Sequence, residues 1–315
     1  MSLTAGMLVQ TTGQGFATER PGDIVRIEFT RFSAFYSPLV GAIAMKYFED
    51  EGIVPQYSLA PPGRSVFESL RGRTVDVVQS APGLSLVSLE KGTLQDIRHF
   101  AQINQKDGFF VVRRTASPDF CWDALEGATM LLNMDTQPLA MFRYACMERG
   151  VDFSSIRPIR TSSEDEAIAA FRAGRADYVH LQGPSAQRLV REGTGYIVAS
   201  VGEVVGMCAF SSLAANRDWI GSDVAGRFAR AFSRALQWSV STDPSLMAAS
   251  ELRYFHAVDR RDLVAAVSAY QKLDTWTVDA EISEAAYNAT SNIFQRTGVV
   301  KQDHPYEQVV SALPA

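Results

Sequence analysis

Cysteine is scarce in this sequence and is not arranged for chemistry. Among 315 residues there are three cysteines, Cys121, Cys146 and Cys208, and no two of them lie close together in the chain. This spacing excludes a CxxC redox or zinc motif and gives no basis for a disulfide framework. Isolated thiols of this kind more often pack as small hydrophobic side chains than act as nucleophiles.

Histidine is also sparse, and the sequence predicts no metal site and no cofactor. The histidines are His99, His180, His256 and His304. None of them has neighbouring ligand residues at the spacing that zinc sites use. Of the four, only His180 falls in a segment that is predicted to face a binding cleft.

An excess of basic charge and a long apolar run are missing as well. The formal net charge is -5, with 30 basic against 35 acidic residues, so nucleic acid is not an expected partner. No apolar run approaches the roughly 18 to 20 residues of a membrane-spanning helix. The first twenty residues lack a basic segment followed by an apolar one. Two alternatives stay open: a cytosolic protein, or a mature form whose leader has been removed.

The sequence does contain an internal duplication, with a repeat distance of about a hundred residues. Each copy has an apolar run, a loop ending in proline, a helical stretch ending in glycine, and later an aspartate before a further apolar run. The paired landmarks are Ile24–Thr30 and Ala128–Asn133, Pro38 and Pro138, Gly52 and Gly150, and Asp76 and Asp177. With 46% apolar residues, the chain is long enough for two such units, each with its own core.

Alternation of short apolar runs with helical stretches predicts an α/β fold with mainly parallel sheets. Two units of this kind form two lobes with a cleft between them. Ligands bind at the carboxyl ends of parallel strands, where helices begin. The loops predicted to face the cleft are Arg31–Ser37, Gln79–Pro82, Met134–Gln137 and His180–Pro184.

After the second copy the sequence is largely helical, with helices predicted over Asp223–Ser241, Asp262–Leu273 and Asp279–Arg296. We expect this tail to pack on the first lobe, with crossings between lobes near Phe109–Arg113 and Gly206–Ser211. The predicted division is an N-terminal segment at 1–22, the first part of lobe 1 at 23–107, lobe 2 at 108–207, and the second part of lobe 1 with the C-terminal helices at 208–315.

The cleft loops supply the candidate ligand-binding residues. Arg64 offers a guanidinium fork for an anion, and Tyr36 offers a stacking surface with a hydroxyl. The competing interpretations are a solvated arginine, aromatics packed under their loop, and hydroxyl side chains that only cap helices. The predicted set is Ser33, Phe35, Tyr36, Arg64, Ser65, Ser80, Thr136, Gln137, His180 and Gln182.

Two other charged groups are predicted to be structural. Asp76 and Asp177 each stand at a strand start after a Gly-Arg turn, where a carboxylate satisfies backbone donors, and they are not expected to form a catalytic pair. The arginines of the 223–241 helix recur on one stripe, which is usually a solvated face rather than a docking surface. These residues are Arg227, Arg230 and Arg234.

Two segments carry a family resemblance. Both resemble parts of the substrate-binding proteins of ABC importers of the nitrate/sulfonate/taurine and thiamine-precursor type. The segment FCWDALEG at 120–127 resembles the turn that opens the second lobe of these proteins, and AIAAFRAGRADYVHLQGP at 167–184 resembles their closing segment. The resemblance implies a two-lobed, type II periplasmic-binding-protein-like fold. It departs at Gly183-Pro184, where the family often has Glu-Pro, so a carboxylate for an amine ligand is missing there.

The resemblance also implies a function: capture of a small organic anion or planar heterocycle by hinge closure, without catalysis. It further implies an ABC permease as partner, a periplasmic location and a monomer. Two alternatives stay open. One is a family-related enzyme acting on a pyrimidine or a sulfinate, and the other is a ligand-sensing module that works with a separate regulator.

Overall fold

The computed structural model describes residues 22–61, 63–161 and 163–315, so the predicted N-terminal segment lies almost wholly outside the described residues. Within these ranges the strands form two five-stranded sheets. No helix in the described part of the chain combines the length and apolar character needed to cross a membrane.

The strands follow the predicted duplication. Those of the first sheet are β1 Asp23–Phe29, β2 Ile53–Leu59, β3 Val77–Ser80 and β4 Ile97–Asn104, and those of the second are β5 Phe109–Arg113, β6 Thr129–Leu131, β7 Arg157–Ile159, β8 Tyr178–Gln182 and β9 Tyr196–Ser200. The last strand, β10 Ser211–Asn216, returns to the first sheet.

Both sheets have one topology. The first has the order β2-β1-β3-β10-β4 and the second the order β7-β6-β8-β5-β9. In each sheet three neighbouring strands are parallel, and one strand from beyond a crossing pairs antiparallel with its two neighbours. The predicted fold of two mainly parallel α/β lobes is therefore confirmed.

Equivalent aspartates join equivalent strands in the two lobes. The Oδ2 of Asp76, just before β3, accepts a hydrogen bond from the N–H of Arg26 in β1 at 2.8 Å. The Oδ2 of Asp177, just before β8, accepts one from the N–H of Thr129 in β6 at 2.9 Å. Their predicted structural role is confirmed, and both lie at the amino ends of their strands.

Helices cover the sheets and build the tail. In the first lobe they are α1 Ser37–Ala44, α2 Tyr47–Asp50, α3 Val66–Arg71 and α4 Pro82–Glu90; in the second, α5 Thr136–Glu148, α6 Glu164–Arg172, α7 Ser185–Arg191 and α8 Val201–Val205. The tail helices are α9 Arg217–Ile220, α10 Asp223–Ser241, α11 Pro244–Glu251, α12 Arg260–Lys272, α13 Glu284–Arg296 and α14 Tyr306–Val309.

Capping residues explain where the tail helices begin and end. Helix α10 has the predicted bounds, and the Asp243 carboxylate caps α11 by accepting from the Ser245 N–H. Helix α13 begins five residues later than predicted, because the Ser283 hydroxyl caps it by accepting from the Ala286 N–H. Gly298 follows this helix with φ of +71°, as its predicted C-cap role requires.

The tail contacts both lobes rather than the first alone. Helix α10 packs on α1 and α2, whereas α12 contacts α7 and α13 contacts both α4 and α5. The arginine stripe of α10 is partly exposed but ion-paired with the first lobe. Arg227 pairs with Asp23, Arg230 with Glu51, and Arg234 with Asp50 and Glu51. This stripe holds the tail helix on lobe 1.

The two crossings lie side by side at 105–108 and 201–210. The Cys208 N–H donates to the Gln105 carbonyl at 2.9 Å, and the Phe210 N–H donates to the Asn104 carbonyl at 3.1 Å. The first predicted position needs correction, because Phe109–Arg113 is strand β5 itself, whereas the second, Gly206–Ser211, lies at the end of the observed crossing. The run at 207–210 pairs with the first crossing and precedes β10.

Candidate functional site

A cavity of about 850 Å³ lies between the lobes, and residues of both lobes line it. The first lobe contributes the ends of β1 and β3 and the segment before α3. The second lobe contributes the ends of β6 and β8 and the starts of α5 and α6. These are the carboxyl ends of parallel strands, where the predicted cleft loops were placed.

Most of the predicted binding residues line this cavity. They are Tyr36, Arg64, Ser65, Ser80, Thr136, Gln137, His180 and Gln182. Ser33 and Phe35 are not in the lining, because their side chains serve lobe packing. The Ser33 hydroxyl donates to the Gly183 carbonyl at 2.7 Å, and a Cβ at Gly108 would lie 2.3 Å from the Phe35 ring.

Several lining residues already have structural partners. Gln137 ties the lobes together, since its Oε1 accepts from the Gly83 N–H at 2.9 Å and its Nε2 donates to the Phe210 carbonyl. The Ser65 hydroxyl caps α3 by accepting from the Phe67 N–H at 3.3 Å. These contacts show two lining side chains that hold the fold at the cavity wall.

Arg64 is exposed, and its guanidinium runs back along α3. Its Nη2 lies 3.9 Å from the position that a Cβ would have at Gly72, just past the carboxyl end of that helix. In this conformation the charge of Arg64 is therefore directed toward the far end of α3.

Arg31 is a lining residue that the sequence argument missed. Its Nη2 lies 2.6 Å from the Asp135 carboxylate and its Nη1 lies 3.5 Å from the Glu164 carboxylate. Burial opposes the charge of Arg31, yet its pKa is raised, because electrostatic interactions with Tyr36, Glu164 and Asp135 favour the charged form. Arg31 begins the predicted loop 31–37, which was the available signal, but its two partners lie in the other lobe.

His180 lies in the cavity wall as a buried, neutral side chain. Its ring stacks on Phe109 with centroids 4.4 Å apart and an interplanar angle of 27°. Burial, and secondarily the charge of Arg31, lower the pKa of His180 to about 3. Neither ring nitrogen has a hydrogen-bond partner among the described residues. Phe109, the stacking partner, was predicted only as part of a lobe crossing.

Two further buried polar atoms in the lining lack partners within the described ranges: the Ser80 hydroxyl and Gln182 Oε1. Both side chains are 2% exposed. Ser80 ends β3 in the first lobe and Gln182 ends β8 in the second. Buried polar groups are normally hydrogen-bonded, so unpaired ones at a cavity indicate a place where a ligand or ordered water binds.

Nucleophilic chemistry has little support at this cavity. Cys146 lies inside α5 and Cys208 in a crossing; both are buried, and burial raises the pKa of each thiol, to about 12 for Cys146. In the part of the chain that the structure describes, no group of three or more His, Cys, Asp or Glu side chains is placed to hold a metal ion.

Comparisons with known proteins agree with this geometry. A family model described as "NMT1-like family" matches residues 24–251. The chain is 25% identical over 291 residues to a Bacillus subtilis (strain 168) protein named "Putative binding protein YtlA"; the match covers 91% of this chain and 87% of that protein.

Solved structures show the same fold at low identity. The ligand-binding component of an ABC-type import system from Staphylococcus aureus, with zinc bound, has a TM-score of 0.74 and 12% identity, covering 92% of this chain and 97% of that one. The alkanesulfonate-binding protein SsuA from Xanthomonas axonopodis pv. citri, bound to MOPS, has a TM-score of 0.72 and 14% identity, covering 93% and 99%.

Proposed function

The chain belongs to the NMT1-like family, and from this premise we propose that it is the solute-binding protein of an ABC importer, not an enzyme. It captures a small organic molecule in the interlobe cavity. The observation that carries the proposal is the cavity itself, of about 850 Å³, where unpaired buried polar atoms of both lobes converge. Such a cavity is in the size range of small-molecule sites.

Hinge closure is the proposed mechanism. The crossings at 105–108 and 201–210 are the backbone links between the sheets, and Ser80 and Gln182 belong to opposite lobes. A ligand that contacts both lobes gains those contacts only when the lobes are closed, so it shifts the population toward the closed state.

The proposed partner is an ABC permease, and the proposed location is the periplasm, with a monomeric binding protein delivering ligand at the membrane. The names of the structural neighbours support this, since one is a component of an ABC-type import system and another is an alkanesulfonate-binding protein. The proposed ligand range is a small organic anion or a planar heterocycle, in contact with Tyr36, Arg64, Thr136 and the unpaired groups.

A thermal-shift screen with a cavity-blocking variant tests the proposal. We expect at least one sulfonate, aromatic carboxylate, pyrimidine or amide to raise the melting temperature, because a ligand at about 100 times its Kd stabilises by about 2.7 kcal/mol. Thr136→Trp, in the first turn of α5 at the cavity, should abolish the shift. Ser245→Trp, in the first turn of α11 outside the lining, is the matched control.

Small-angle scattering in the presence of the ligand that the screen identifies should show a smaller radius of gyration for the parent protein and for Ser245→Trp. Two results would contradict the proposal. One is a library without any stabilising compound, and the other is a full ligand shift in a folded Thr136→Trp protein.

A further inference from the structure

We propose that the interlobe cavity selects an uncharged planar ligand that carries both a hydrogen-bond donor and an acceptor, as carboxamides, ureides and lactams do, in preference to an oxyanion. The inference rests on the proposed function and narrows its ligand class. The observations that carry it are the charge balance at Arg31 and the unpaired groups of Ser80, His180 and Gln182.

The charge balance disfavours a ligand anion. Arg31 is one of two arginines in the described lining, and it is held by two carboxylates, those of Asp135 at 2.6 Å and Glu164 at 3.5 Å. This trio has a net charge of -1. An anion entering beside it must compete with Asp135 and Glu164 for Arg31 or remain without a counter-charge, so Arg31 offers an anion less than an unpaired guanidinium would.

The other lining arginine does not restore the balance. Arg64 is exposed and its guanidinium lies toward Gly72, past the end of α3. A solvated cation at the rim attracts an anion only weakly, because water and salt screen its charge. The inner wall is therefore neutral to slightly negative.

The unpaired groups favour a ligand that both donates and accepts hydrogen bonds. His180 is uncharged, and a neutral imidazole has one N–H donor and one acceptor nitrogen. The Gln182 amide carries donors and an acceptor, and the Ser80 hydroxyl does both. A sulfonate, nitrate or carboxylate only accepts, so it leaves the His180 acceptor nitrogen and the Gln182 carbonyl unpaired. A carboxamide or ureide edge satisfies both kinds of group.

The stack of His180 on Phe109 sets the ligand's shape. The two rings are nearly parallel, and His180 also lies 5.1 Å from the Phe142 ring with an interplanar angle of 47°. The imidazole is thus held by rings rather than by hydrogen bonds. His180 and Phe109 both line the cavity, and aromatic side chains with polar atoms at their edge suit a flat ligand that presents its own polar edge.

Calorimetric titration of the full chain with benzamide and benzoate tests the inference, since the two differ mainly in an NH₂ group against an O⁻. We expect benzamide to bind at least ten times more tightly than benzoate or benzenesulfonate. His180→Phe should reduce that preference to less than about threefold, while His180→Gln, which keeps a donor and an acceptor, should retain most of it. His256→Phe, exposed and outside the lining, is the control.

Each other outcome overturns the inference. Tighter binding of benzoate or benzenesulfonate overturns it and leaves the proposed function intact. An unchanged preference in His180→Phe removes the role of the imidazole. If benzamide, hydantoin and 2-pyrrolidone fail to bind while any anion of the thermal-shift library does, the ligand class is wrong; if no compound of either set binds, the proposed function fails with it.

Discussion

Strands β3 and β8 hold the same position in their sheets, yet their cavity ends differ. Gln79 stands three residues after Asp76, and His180 stands three residues after Asp177. Gln79 Oε1 accepts from the Thr30 N–H at 3.0 Å and from the Thr30 hydroxyl, within its own lobe. His180 has no hydrogen-bond partner among the described residues. At this one position of the duplicated frame, the side chain of the first lobe is satisfied within its lobe and the side chain of the second is open to a ligand.

His99 makes the contrast sharper, because it resembles His180 in burial. Burial lowers the pKa of both histidines to about 3. The ring of His99 is nevertheless fully bonded, with Nε2 2.9 Å from the Ser85 hydroxyl and Nδ1 2.6 Å from the Ser212 hydroxyl. The hydrogen bonds of His99 hold β4 to its neighbours, whereas the neutral ring of His180 is held by stacking.

The variants His99→Phe and His180→Phe are expected to show the largest difference in the free energy of unfolding. His99→Phe should lower the free energy of unfolding by about 3 kcal/mol, because it leaves two buried hydroxyls without a partner. Without ligand, His180→Phe should change it by less than about 1 kcal/mol, since no hydrogen bond is lost. Urea unfolding of both variants measures this. Equal losses would mean that His180 has structural partners that the contrast denies.

Glu251 extends the comparison of His99 and His180 to a buried carboxylic acid, which has a hydrogen-bond partner on only one of its two oxygens. One of its oxygens accepts from the Ser37 hydroxyl at 2.7 Å, and burial raises its pKa to about 8. The folded protein then holds a proton that the unfolded chain releases near pH 4.5, so this contribution to stability is complete below pH 4.5 and is lost as the pH rises through 8. From pH 6 to pH 8 the loss should be about 2 kcal/mol.

Glu251→Gln keeps an acceptor for Ser37 and does not titrate. The difference between the pH profiles of parent and variant, measured by urea unfolding, should therefore isolate the contribution of Glu251. Parallel profiles over pH 6 to 8 would show that this carboxyl is ionised in the folded protein.

Asp76→Ala and Asp177→Ala should give the smallest difference, because each removes a carboxylate that accepts from a backbone N–H of the neighbouring strand and from that same residue's side chain, Arg26 for Asp76 and Thr129 for Asp177. Each should lower the free energy of unfolding by about 1 to 2 kcal/mol, through loss of a carboxylate that accepts from the neighbouring strand. Hydrogen bonds from Thr129 lower the pKa of Asp177, so its contribution to the free energy of unfolding should decrease as the pH falls through that pKa. Neither variant should alter ligand affinity, since both residues lie at the strand ends away from the cavity. A loss of affinity in either would break the equivalence.

The parts of the fold that depend on neighbours in the chain were predictable. The repeated order of runs and turns indicated the two lobes, and the family resemblance of 120–127 and 167–184 is confirmed by the match over 24–251. Helix α10 was predicted with its bounds, because its apolar spacing and its end signals are local. Helix α13 was predicted too early, since the Asp279 carboxylate accepts from the Glu281 N–H without opening a helix, and the cap that opens the helix is Ser283.

The parts that depend on distant partners were not predictable. Ser33 was a reasonable cleft residue by its loop, but its hydroxyl bonds Gly183, 150 positions away. Arg31 was passed over, although it meets Asp135 from the other lobe, 104 positions away. Phe109 was assigned to a crossing, yet it supplies the stack under His180. No spacing rule in one sequence links residues so far apart.

The sequence by itself determined the architecture, because sheet and helix formation follow from apolar periodicity, proline and glycine positions and capping residues within a few positions of one another. It also determined which loops face the cleft, since parallel strands place their carboxyl ends together. Only the tertiary structure decided which side chains in those loops are free. A polar group is free or satisfied according to what the folded chain brings within 3 Å of it, and for Gln79, His180 and Arg31 those surroundings come from other strands or from the opposite lobe.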